Sequence, residues 1–150
     1  MEIMLAAADS KKELMIQFCI AYCGILSKHN VRATGVTGKY VAEATGLPVE
    51  CLMAGPQGGV QQIASRVTYD EVDVLLFFRD PSPEADSGAE EALFRLCDLH
   101  NIPLATNIAT AEALIMALDR GDLDWRRYER ENRSAAKKPA KTKKGRRDHE

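Results

Sequence analysis

Twice in this chain a short apolar run gives way to a glycine-rich turn and then to a helical pattern. The turns are Ala33-Thr34-Gly35-Val36-Thr37-Gly38 and Ala54-Gly55-Pro56-Gln57-Gly58-Gly59. Such a turn at a strand-to-helix junction commits the chain to βα units, and its glycines leave N–H groups bare where the helix begins. Bare donors at the positive end of a helix stabilise an anion. Thr34 and Thr37 add hydroxyls able to bond phosphate oxygens, and Lys12, at the first strand-to-helix junction, supplies a counter-charge. One turn of this kind is usually structural, but two together predict a phosphate pocket.

Around these turns the apolar periodicity alternates. Ile3 to Ala7, Val31 to Thr34, Val49 to Met53, Asp73 to Phe78 and Pro103 to Ala105 have the short apolar character of strands. Helical spacing covers Lys11 to Lys28, Gln61 to Val67, Glu90 to His100 and Ala109 to Arg120. A further short helix, lined by Tyr40, Val41 and Ala44, stops at Gly46 with Pro48 soon after, and the last helix closes on Gly121. Arg79 to Gly88, with two prolines and a Ser-Gly pair, is the longest loop. Right-handed crossovers turn this alternation into an α/β fold, a three-layer doubly wound parallel sheet of about five strands. Ligands bind such sheets beyond the carboxyl ends of the strands, where both glycine turns fall.

A length of 150 residues, 45% of them hydrophobic, suits one core and one domain. The net charge of −2 conceals an asymmetry: residues 1–125 hold 9 Lys and Arg against 18 Asp and Glu, whereas residues 126–150 hold 11 against 4. The domain is therefore expected over residues 1–127, followed by a basic, disordered tail over 128–150. That tail is either an arm for a polyanion or an extension that solubilises the chain or folds back on the acidic body. From Arg133 to Arg147 no aromatic residue interleaves the charge to stack on bases, which favours the second reading. Cys19, Cys23, Cys51 and Cys97 form no CxxC pair and sit among apolar residues, so they read as buried free thiols, and no metal or other cofactor is expected. The N-terminus lacks the pattern of a signal peptide, and no stretch approaches the roughly 20 apolar residues of a membrane span. A soluble, cytoplasmic protein follows as the expectation.

Three further pieces sit at predicted strand ends: Ala8-Asp9-Ser10-Lys11-Lys12, Phe78-Arg79-Asp80-Pro81, and Ala105-Thr106-Asn107 with Thr110-Ala111-Glu112. Others are Arg32-Ala33-Thr34-Gly35 with Thr37-Gly38, Glu43-Ala44-Thr45-Gly46-Leu47, Gly55-Pro56 with Gly58-Gly59, Gln61-Gln62, Arg95-Leu96-Cys97-Asp98 and Ile102 to Asn107. In order, and with one short gap, these motifs resemble the methylglyoxal synthase family over residues 1 to about 127.

The resemblance implies a methylglyoxal synthase-like fold and a carbon–oxygen lyase. Such an enzyme converts dihydroxyacetone phosphate to methylglyoxal and phosphate without a cofactor, as a homohexamer. It also implies phosphate and substrate contacts at Asp9, Lys12, Thr34, Gly35, Thr37, Ala54 and Gly55, with Asp80 in the pocket. Two family hydroxyl positions are Val36 and Ala54 here. The proton-transfer positions differ more. The family's aspartate base, directly after the Gly-Gly pair, is Val60; its histidine in the loop after Asp80-Pro81 corresponds to Asp86; its first-loop histidine is Ala8. The remaining histidines, His29, His100 and His149, lie in surface-like positions, which leaves Asp80, Asp86 or Asp9 as substitute bases and Asp80 as the catalytic candidate.

Three functions stay open: a divergent synthase of weak or absent activity, a non-catalytic module that binds phosphate or a sugar phosphate, or a structural partner of an active paralogue.

Overall fold

In a computed structural model that describes residues 1–52, 56–85 and 88–135, five strands form one parallel sheet. They are β1 (Glu2–Ala7), β2 (Asn30–Thr34), β3 (Val49–Leu52), β4 (Val74–Phe78) and β5 (Leu104–Ala105), in the order β3-β2-β1-β4-β5. The register sets Ile3 of β1 beside Val31 of β2 and Val74 of β4. A 3-10 turn (Asp9–Lys11) leads into α1 (Lys12–Ala21), followed by α2 (Cys23–Leu26), α3 (Gly35–Thr45), α4 (Pro56–Thr68), α5 (Gly88–Leu99), α6 (Ile108–Arg120) and α7 (124–135).

Successive strand residues point to opposite faces, so β1 feeds two cores. Ile3 and Leu5 pack with Met15, Phe18, Val41 and Ile115 from α1, α3 and α6. Met4 and Ala6 pack with Ile63, Val67, Leu93 and Cys97 from α4 and α5. Coverage of both faces explains why β4 is apolar at every position, and the layers are those expected for a doubly wound sheet. No helix among the described residues is long and apolar enough to cross a membrane.

Gly46 (φ 74°) and Gly121 (φ 84°) close their helices in the left-handed conformation, as their positions predict. Elsewhere local structure departs from periodicity. The helix expected over Lys11 to Lys28 breaks at Tyr22, whose ring lies 4.9 Å from that of Phe18 and whose hydroxyl donates to Glu112 Oε2 at 2.9 Å. The first glycine turn is no loop, since α3 starts at Gly35 and contains Gly38. A Cβ on Gly38 would stand 2.8 Å from Cys51 Sγ and 3.3 Å from Ala33 Cβ, so glycine permits this close packing of helix on sheet. The second helix likewise starts early, at Pro56, whose fixed φ suits a first turn.

The C-terminal segment carries helix as well. The chain stays helical past residue 127, through 135, because its arginines meet buried acid. Asp73, wholly buried just before β4, accepts the Glu2 N–H at 2.7 Å and pairs with Arg126 and Arg130. Arg133 pairs with Asp70 at 3.0 Å. A compositional criterion for disorder counts charge without knowing what the charge will face. Residues 136–150 lie outside the described part.

The cysteines are not all buried. Cys19 and Cys97 are, and desolvation pushes their thiols up to about 12 and about 11, respectively. Cys51 is exposed on the edge strand β3. A thiol-specific reagent near neutral pH is expected to label Cys51 first and Cys19 and Cys97 only on unfolding, because the thiolate is the reacting species. Rapid native labelling of Cys19 would contradict this packing.

Candidate functional site

From β1 the chain crosses to β2 and β3 on one side, then returns to place β4 and β5 on the other. The sheet order therefore reverses between β1 and β4, and the carboxyl ends of these strands diverge into a crevice. The Ala8 N–H donates to the Phe78 carbonyl at 2.9 Å where they separate, and Lys11 N–H donates back to Ala8 at 2.8 Å to start the 3-10 turn. This short turn brings Asp9 and Lys12 over the end of the sheet. On the neighbouring strand, β2 passes straight into α3 through Thr34 (φ −64°, ψ 146°).

A cavity of about 550 Å³ opens there. Its lining includes Ala8, Asp9 and Lys12 after β1, Thr34, Gly35, Val36 and Thr37 from the β2–α3 junction, Val60 from α4, Asp80 after β4, and Glu90 from α5. The predicted residues Asp9, Lys12, Thr34, Gly35, Thr37 and Asp80 thus line one cavity. Ala54, Gly55 and Asp86 lie outside the described residues, as does His149. His29 and His100 are half-buried elsewhere and do not line the cavity.

One side of the cavity is rich in donors. Lys12 Nζ lies 2.6 Å from Asp9 Oδ1, and that contact holds the Asp9 carboxyl below its ordinary range through the hydrogen bond first and the charge second. Thr34 makes no capping bond with its side chain, and no acid occupies the first turn of α3, so neither the cap nor the first turn supplies a side-chain acceptor to the opening N–H groups of that helix. Thr37 is 2% exposed, and its Oγ1 is buried without a hydrogen-bond partner among the described residues. Leaving such a hydroxyl unsatisfied costs about 1–3 kcal/mol, a cost an oxyanion in the cavity would remove.

Asp80 Oδ1 accepts the Ser82 N–H at 2.9 Å, which ties the loop after β4 to itself. Arg79 is turned to α5, pairing with Glu91 at 3.0 Å and lying 5.2 Å from the Phe94 ring centre. Val60 is half-buried against the core on the α4–α5 side. Glu90 is the pocket residue that periodicity did not single out: an acid in the first turn of a helix ordinarily complements the dipole. Only the return of α5 over the crevice makes it a wall. The assembled site holds donors and a lysine on one side, carboxylates on the other, and no imidazole among its described lining residues.

Residues 15–106 match the family of the MGS-like domain. The chain is 59% identical to the methylglyoxal synthase of Caldicellulosiruptor saccharolyticus over 127 residues, which cover 84% of this chain and 90% of that one. It is 50% identical to the methylglyoxal synthase of Thermoanaerobacter sp. (strain X514) over 130 residues, covering 86% and 98%. The fold superposes on the crystal structure of methylglyoxal synthase from Elizabethkingia anophelis NUHP1 with a TM-score of 0.68 and 38% sequence identity, over 76% of each chain.

Proposed function

Because the chain belongs to the family of the MGS-like domain, we propose that its cavity binds a small phosphorylated ligand, dihydroxyacetone phosphate or inorganic phosphate, and turns over the former weakly or not at all. The phosphoryl group sits at the start of α3, where Gly35 and its neighbours offer N–H groups, Thr34 and Thr37 offer hydroxyls, and Lys12 offers charge. Asp9 orients Lys12 through their short contact. By the family pattern Ala54 and Gly55 complete the phosphate contacts, and the protein assembles as a homohexamer.

Elimination of phosphate from the triose requires a base to take a proton beside the carbonyl and an acid to pass protons between the oxygens. Val60 stands where the family places its base, and an isopropyl group accepts no proton. Asp80 is the retained carboxylate of the pocket motif and the residual candidate for that role. The observation that carries the binding reading is the buried Thr37 Oγ1 in the cavity wall, which has no hydrogen-bond partner among the described residues. A structural partner with no ligand would have no use for it, whereas a phosphate-sensing module would need the same pocket as an enzyme.

Calorimetric titration with inorganic phosphate tests this. Thr37→Val keeps the shape and removes the hydroxyl, so phosphate affinity is expected to fall about 10- to 100-fold, the worth of a hydrogen bond to a charged group. Melting temperature should hold or rise, because an unsatisfied buried group has been removed. Unchanged phosphate affinity in the variant would remove Thr37 from the site.

A further inference from the structure

A phosphate at the start of α3 leaves much of the cavity unused. Where the carboxyl ends of β1 and β4 part, the lining is made by Ala6 and Phe77, which lie side by side in the sheet. Ala7 and Ala8 continue it along the chain, and Val60 of α4 joins from the helix layer, packed on the same core as Ala6 and Phe77. Val36 adds a further apolar side chain, 41% exposed, beside the donors of Thr34, Gly35 and Thr37. None of these side chains offers a phosphate a hydrogen bond or a charge. At about 550 Å³ the cavity has room for an organic part as well as a phosphoryl group. Ligand pockets commonly combine an apolar lining of this kind with a few polar groups that fix orientation.

We propose that the natural ligand is a phosphate monoester with an apolar organic part, its phosphoryl group at the start of α3 and its carbon chain along Ala7, Ala8 and Val60. This rests on the phosphate reading of the same pocket, for which the independent sign is Thr37 Oγ1, buried with no partner among the described residues. Placing carbon against the alanines and the valine gains free energy with the area removed from water. Hydroxyl groups at the same place would give up hydrogen bonds to water and find no acceptor on those side chains. Asp80 and Glu90 are the lining groups that could hold a hydroxylated ester instead, and both already bond within the chain, Asp80 Oδ1 to the Ser82 N–H. An alkyl ester also has no proton beside a carbonyl to lose, so its site needs no base, in keeping with the isopropyl group of Val60.

Calorimetry at fixed ionic strength and neutral pH decides the matter with inorganic phosphate, propyl phosphate and glycerol phosphate, since the two esters share a carbon skeleton and differ in hydroxyl groups. Propyl phosphate is expected to bind at least about tenfold more tightly than glycerol phosphate, with a more negative heat-capacity change. In Val60→Thr, which nearly keeps the shape and exchanges a methyl group for a hydroxyl, that advantage should shrink by about threefold or more. Inorganic phosphate should keep its affinity for this variant within about twofold, because it does not reach residue 60, and its binding shows that the variant is folded. Glycerol phosphate binding as tightly as propyl phosphate, or a propyl preference that is undiminished in Val60→Thr, overturns the apolar assignment and leaves the phosphate pocket standing. Failure of the unaltered protein to bind any of the three, inorganic phosphate included, overturns the pocket reading and this inference together.

Discussion

Dihydroxyacetone phosphate mixed with the unaltered protein is expected to give methylglyoxal at least about a thousandfold more slowly than the roughly 1–10³ s⁻¹ of ordinary enzymes. A positioned general acid or base contributes about 10²–10⁴-fold, and on the function proposed above Val60 and Asp86 stand where the family resemblance implies a base and a histidine. Val60→Asp restores a carboxylate to the cavity wall. Its apolar surroundings, including Ala6 and Phe77, would raise its pKa towards the range where a base works well. That single change should increase the rate by about 10²-fold or more, and adding Asp86→His should increase it further. The same change places a polar group in a half-buried apolar position, so a stability loss of about 1–3 kcal/mol should accompany it. Release of phosphate and formation of methylglyoxal, followed together, give the answer. Brisk turnover by the unaltered chain, with no gain from Val60→Asp, would make one of the pocket carboxylates a sufficient base and the loss of catalysis a mistaken reading.

The second large effect is at the opposite edge of the sheet. Asp73→Ala is expected to destabilise the protein by about 3–5 kcal/mol, because removing one member of a buried ion pair strands the other. Arg126 is only 5% exposed and would lose its carboxylate, Arg130 would lose the closer of its two acids, and the Glu2 N–H would lose the acceptor that continues β1 at its start. For a chain of this length the melting temperature should fall by about 10 °C or more. Asp70→Asn is the control: it keeps a residue suited to the left-handed backbone at φ 61°, and the pairs of Asp70 with Arg130 and Arg133 are partly solvated, so the loss should stay below about 1 kcal/mol. Comparable, small losses in both variants would mean that α7 is held by something other than Asp73. The arginines engaged here also change how the basic C-terminus is understood, since Arg126, Arg130 and Arg133 pair with acids of their own chain.

Much of the architecture was legible because its signals are local. Five apolar runs separated by helical spacing lead to a parallel, doubly wound sheet by handedness alone, and Gly46 and Gly121 mark helix ends because few other residues tolerate their φ. Position on the carboxyl edge then follows for Asp9, Lys12, Thr34, Gly35, Thr37 and Asp80, each of which comes directly after or near a strand end. The helix boundaries were less legible. Gly35 looks like a loop residue in sequence, yet the packing of Gly38 against Cys51 and Ala33 keeps that segment helical from its first residue.

The order of strands and helices, the glycine caps and the donor side of the pocket were therefore determined by the sequence itself, through preferences that span a few residues. The tertiary structure decided that Glu90 joins the pocket wall, that α1 breaks where Tyr22 meets Glu112, and that a basic segment docks as α7 on an acid 57 residues earlier than Arg130. Those outcomes depend on burial and on pairing between groups far apart in the chain. An isolated carboxylate or guanidinium carries no record of its eventual partner, and only the folded packing, by excluding water from both, makes the pairing decisive.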